Sequence, residues 1–124
     1  MRLVFKDRPL AGHALARPAH EAARCAGAAG KYWEYHDLLF EEQPAFERAD
    51  LLLYAADVGL DRDDYARCLD ERRYAREVDA DVEQAVALGI RATPTLLVNG
   101  RRIVGAPTVE EFRVVVEDAL REPR

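Results

Sequence analysis

The feature that constrains this chain most is an abrupt change of pattern at Ile90. Before it the apolar residues recur at helical spacing. After it comes Thr95-Leu96-Leu97-Val98, then Asn99-Gly100, then Arg101-Arg102-Ile103-Val104. Asn-Gly between two apolar runs predicts a β-hairpin with a type I′ turn, because both central residues need positive φ. Thr108 and Glu111 read as a capping box that opens a last helix with Phe112, Val115, Val116 and Ala119 on its inner face. Upstream, Arg2–Lys6 reads as a short strand closed by Pro9. The alanine-rich run from His13 to Ala29 favours helix, with Pro18 marking its first turn or a kink and Gly30 its stop.

Further helices follow. Lys31–Glu42 carries Tyr32, Tyr35 and Leu39 on one side with Trp33 and Phe40 beside them, an arc wide enough to predict burial on more than one side. Leu52, Leu53 and Ala56 lie on a helix ending at Gly59. Asp61 reads as the N-cap of the next, which carries Tyr65, Cys68 and Leu69. Tyr74, Val78, Val82 and Val86 recur every four residues on a helix that Gly89 terminates. The order is strand, helical block, hairpin, helix: an α/β chain, mostly helical by content.

Composition narrows the chemistry. At 124 residues the chain has the length of one domain, and it can bury roughly 65–70% of its unfolded surface without a metal or disulfide staple. The net charge of −5 argues against a nucleic-acid or anionic-membrane surface, and no window approaches the apolar length of a membrane span. The chain contains no serine, which excludes serine nucleophiles. It contains sixteen arginines but only two lysines, Lys6 and Lys31, a bias that says little about function.

Taken residue by residue, each candidate site has a plain structural explanation. His13, His20 and His36 lack paired-ligand spacing and read as surface or helix-packing histidines, so no metal and no cofactor is expected. Glu41-Glu42, Asp57, Asp61, Asp63 and Asp64 read as solvated helix charges, and Arg72-Arg73 and Arg101-Arg102 as exposed turn charges. Cys25 and Cys68 each fall on the apolar side of a helix, where buried free thiols are common. The chain has no C-x-x-C. Ala92-Thr93-Pro94-Thr95 feeds straight into an apolar strand, a position where proline is tolerated.

Together, Val4-Phe5, Pro9-Leu10, Cys25-Ala26, the block Lys31-Tyr32-Trp33-Glu34-Tyr35-His36-Asp37-Leu38-Leu39-Phe40, Gly59-Leu60-Asp61, Cys68-Leu69, Thr93-Pro94-Thr95 and Val98-Asn99-Gly100 resemble the DsbA family of thioredoxin-fold disulfide oxidoreductases. The resemblance runs from residue 2 to about residue 120. It implies a thioredoxin-like fold with a helical insertion: residues 1–12 and 89–124 form a partial core and 13–88 the inserted subdomain. It implies a cis Thr93–Pro94 bond, with Thr93 and Pro94 facing a bound substrate polypeptide. The family often carries cysteines at the positions of Cys25 and Cys68, which implies a structural disulfide.

The family's N-terminal β-α unit, with C-x-x-C at its helix N-terminus, has no counterpart here, so the chain reads as truncated. The attacking cysteine of such enzymes needs a thiolate stabilised by the helix N-terminus. Neither Cys25 nor Cys68 occupies that position, so no catalytic residue is assigned. The expected function is that of a DsbA-like thiol–disulfide oxidoreductase family protein, inactive as given, with thiol-bearing polypeptides as partners. Two alternatives stand beside it: a non-catalytic polypeptide-binding module, and a relative of kappa-class glutathione transferases and hydroxychromene-carboxylate isomerases. With that unit missing, strands 2–6 and 95–98 lose a neighbour, which implies a homodimer. The compartment is left open.

Overall fold

A computed structural model describes residues 1–122. In chain order the elements are α1 (Ala16–Ala28), α2 (Tyr32–Glu41), α3 (Arg48–Asp57), α4 (Arg62–Asp70), α5 (Ala75–Ala87), β1 (Thr95–Val98), β2 (Arg101–Val104) and α6 (Val109–Arg121). Two compact units divide the chain, Met1–Gln84 and Ala85–Arg124.

Helix ends follow the chain's local chemistry. Pro18 sits in the first turn of α1, where its missing N–H matters least. Gly30, at φ +79°, closes α1 as the Lys31 N–H donates to the Ala26 carbonyl and the Gly30 N–H to Gly27. The same closure ends α4 with Arg72 in the left-handed position, at φ +50°. A side chain is retained there because the Arg72 guanidinium holds the buried Glu21 carboxylate through two hydrogen bonds of 3.2 and 2.8 Å. Asp61 caps α4, accepting from the Asp64 N–H at 2.9 Å.

In the first unit α1 packs against α2 and α4 through alanines, among them Ala19, Ala22 and Ala26. Small residues on α1 leave room for three buried tyrosines, Tyr35, Tyr54 and Tyr65. Each phenol hydroxyl finds a backbone acceptor: Tyr35 donates to Leu51 O (2.9 Å), Tyr54 to Ala45 O (2.7 Å) and Tyr65 to Ala22 O (3.1 Å). Burial pushes the Tyr35 and Tyr65 hydroxyls well above the ordinary tyrosine range, so both remain donors.

Several expectations are corrected. Residues 2–6 form no strand: the sheet consists of β1 and β2 alone, and a strand exists only through a ladder partner. The arc of α2 is buried on the Tyr35 side only, with Trp33 42% and Phe40 57% exposed. On α5 the inner stripe is Val78, Asp81, Val82 and Ala85, and Val86 is exposed. A strict four-residue repeat drifts about 40° per step around a helix, which carries Val86 off the face that Val78 occupies. Of the box at α6 one half is present, the Thr108 hydroxyl accepting from the Glu111 N–H at 3.1 Å.

In the second unit β1 and β2 pair antiparallel with Thr95 opposite Val104 and Val98 opposite Arg101. Asn99 and Gly100 turn the hairpin at φ +49° and +86°. Helix α6 packs on β1, and the half-buried residues Leu96, Val98 and Ile103 share the corresponding face. The opposite face leaves Leu97 49% and Val104 66% exposed. Among the described residues of this unit only Ala85 and Ala119 are buried hydrophobics, so the hairpin carries far more apolar surface than it covers.

Candidate functional site

Thr93 and Pro94 lie in the exposed bend that leads into β1, and their peptide bond is cis. The bend is fixed at both ends. The Thr95 hydroxyl donates to Ala92 O at 2.7 Å, and the Gly105 N–H donates to Pro94 O at 2.9 Å. That second bond sets the phase of the ladder: residue pairs 96/103 and 98/101 bond across the hairpin, so Thr95 and Leu97 turn their N–H and C=O groups to the open edge. Among the described residues Thr93 makes no backbone hydrogen bond. Residues 95 and 97 thus present donors and acceptors along one edge, next to the Thr93–Pro94 bend and beside the exposed Leu97 and Val104 side chains. Chemically this is a template for an extended polypeptide.

Cys25 on α1 and Cys68 on α4 are brought together and joined as a disulfide, with Cα atoms 6.0 Å apart. Both cysteines are buried in the helical core, away from solvent. The residue-level reading of two free thiols is therefore corrected, because helices 43 positions apart in sequence pack with these side chains facing each other. Neither sulfur is a thiolate, and neither lies at a helix N-terminus that would stabilise one.

Sequence reasoning missed a buried ionic cluster around Asp7, which is 1% exposed. The Asp7 carboxylate receives Arg24 Nε at 2.7 Å and lies 2.8 Å from His20 Nδ1, while its own N–H donates to the Asp81 carboxylate at 2.8 Å. Arg24 bridges the two acids, its second nitrogen donating to Asp81 at 2.7 Å. Burial alone pushes the Asp7 carboxyl up, but the hydrogen bonds and charges of His20 and Arg24 outweigh it and hold the group below the usual carboxylate range. An ionised Asp7 can only accept, so His20 carries a proton on Nδ1. The cluster fastens the chain around residue 7 to α1 and α5. Its partners stand 13 to 74 residues apart, and no local pattern announces them. Of the other histidines, His36 packs within an aromatic group, with Phe5 and Phe40 rings 4.9 and 4.7 Å away. Among the described residues no group of His, Cys, Asp and Glu is arranged to hold a metal ion.

A family model described as thioredoxin matches residues 1–118. The chain belongs to the thioredoxin family. Its fold is shared with the thiol-disulfide exchange protein alpha-DsbA2 from Wolbachia pipientis, at a TM-score of 0.78 and 22% identity, over 93% of this chain and 63% of that one. The fold is thus a DsbA-like thioredoxin fold with a large helical part. In sequence this thioredoxin-family chain is 39% identical over its whole length to part of the Na(+)/H(+) antiporter NhaA 1 of Salinispora arenicola. It is 36% identical, over 98% of the chain, to part of the Na(+)/H(+) antiporter NhaA of Herminiimonas arsenicoxydans. It spans about a fifth of the length of these curated relatives (19% and 20%). Among the described residues no helix is long and apolar enough to cross a membrane.

Proposed function

We propose that this chain is the polypeptide-holding part of DsbA-like thiol–disulfide exchange, binding an extended segment along Thr93, Thr95 and Leu97 while contributing no reactive dithiol of its own. The observation that carries this reading is the open edge of β1: two outward backbone positions, Thr95 and Leu97, adjoining the Thr93–Pro94 bend and flanked by exposed apolar side chains. Main-chain hydrogen bonds along such an edge supply affinity without regard to sequence, which suits thiol-bearing polypeptides as a class. The buried Cys25–Cys68 bond supports a structural role for the only two sulfurs that could otherwise exchange.

The reading is tested by titrating the ¹⁵N-labelled chain with a reduced, carboxymethylated unfolded protein. Amide shifts concentrated at residues 93–97 are expected. Shifts absent there, or spread evenly over the helices, would overturn it.

The same edge and apolar face also support pairing with a second copy, since an isologous contact would cover Leu97 and Val104 on both chains. The likeness to stretches of sodium–proton antiporters supports a membrane ion antiporter as the protein this module serves. That association predicts a change in Na⁺/H⁺ exchange when the chain is added to such an antiporter reconstituted in vesicles; unchanged exchange would refute it.

A further inference from the structure

The first unit holds a feature that polypeptide binding at the β1 edge does not use. A cavity of about 190 Å³ opens beside His20 and His36, and most of its wall is apolar, including Phe5, Phe40 and Phe46. A dry cavity of roughly 150 Å³ accommodates benzene, so this one has room for a six-membered ring with a small substituent. Ring edges and faces are already presented around it: the Phe5 and His36 rings meet edge-on at 81°, and His36 and Phe40 lie tilted at 42°. An aromatic guest gains from such walls beyond the area it buries.

Two imidazoles on the wall are anchored through Nδ1, His36 by the exposed Asp37 at 3.1 Å and His20 by a carboxylate shielded from water. His20 is held by the buried Asp7 carboxylate through Nδ1. That leaves His20 Nε2 for a ligand hydroxyl, which can donate to a bare nitrogen or accept from a protonated one. Among the described residues no protein donor reaches it. Arg24, on the other side of Asp7, is spent on Asp7 and Asp81. An apolar cavity with an anchored imidazole on its wall selects a ring that carries a hydroxyl.

We propose that this cavity binds a phenolic ring, seated against Phe5 and Phe40 with its hydroxyl hydrogen-bonded to His20 Nε2. The ring can come from a free small phenol or from a tyrosine side chain. The test uses the full chain with ¹⁵N-labelled histidine, titrated with p-cresol, with toluene and with N-acetyltyrosine amide. Saturable binding of p-cresol with Kd about 1 mM or tighter is expected, with the His20 Nε2 resonance shifting. Toluene, which lacks the hydroxyl, should bind about tenfold more weakly.

Ala16 lines the cavity outside the Asp7 cluster. Ala16→Leu should fill the space and abolish both interactions with circular dichroism unchanged. His20→Phe should bring p-cresol down to the level of toluene. Binding of the tyrosine amide assigns the site to tyrosyl side chains; binding of p-cresol without it assigns the site to free phenols. Equal affinity for p-cresol and toluene, or an unmoved His20 signal at about 10 mM p-cresol, would overturn the proposal.

Discussion

Reducing the Cys25–Cys68 bond is expected to remove a large share of the stability of the helical unit. The bond closes a loop of 43 residues between α1 and α4. Cross-linking a loop of that length takes about 13 cal/mol/K of entropy from the unfolded chain, or about 4 kcal/mol at 25 °C. Single domains hold only about 5–15 kcal/mol in total. With a urea m-value of about 1.5 kcal/mol/M, the midpoint should fall by about 2.7 M when unfolding is followed by circular dichroism with and without reductant. Thiol titration in urea should find no free thiol before reduction and two after it. A midpoint change below about 0.5 M would refute the reasoning. So would two free thiols in the untreated protein.

Asp7→Asn should destabilise by about 3 kcal/mol, because it breaks a buried pair and leaves the His20 and Arg24 donors imperfectly matched. Since the folded Asp7 carboxyl is held below its ordinary value of 3.8, its contribution is complete above that pH and is lost as pH falls below it. The parent should therefore lose stability more steeply than Asp7→Asn in acid urea titrations; parallel pH curves would contradict this. Tyr65→Phe should cost about 1 kcal/mol in urea unfolding through loss of the bond to Ala22 O, and a neutral result would remove that bond from the account. Sedimentation equilibrium should show concentration-dependent association that Leu97→Lys suppresses without loss of secondary structure. A monomeric parent would dismiss the pairing of copies.

Much of the local structure was legible in the sequence because single residues set it. Asn99-Gly100 dictates the hairpin turn, Gly30, Gly59 and Gly89 supply positive φ after three helices, and Asp61 caps α4. The stop after α4 was not legible, since Arg72 takes the left-handed position with help from Glu21, 51 residues away. Residues 2–6 have the composition of a strand, yet composition cannot supply the ladder partner that a strand requires. The Thr93–Pro94 bend was placed by its resemblance to a family motif, whereas the outward phase of residues 95 and 97 follows from the ladder register and the Gly105–Pro94 bond. His20 looked like any helix-packing histidine until the fold set Asp7 against it.

The central claim is that the chain's own cysteines hold the fold and do not exchange with substrate. Insulin reduction by dithiothreitol, followed by turbidity, tests this directly. With the 124-residue chain present the rate should equal the uncatalysed one, because no cysteine pair is placed to form and resolve a mixed disulfide. Acceleration that disappears in Cys25→Ala or Cys68→Ala would contradict it.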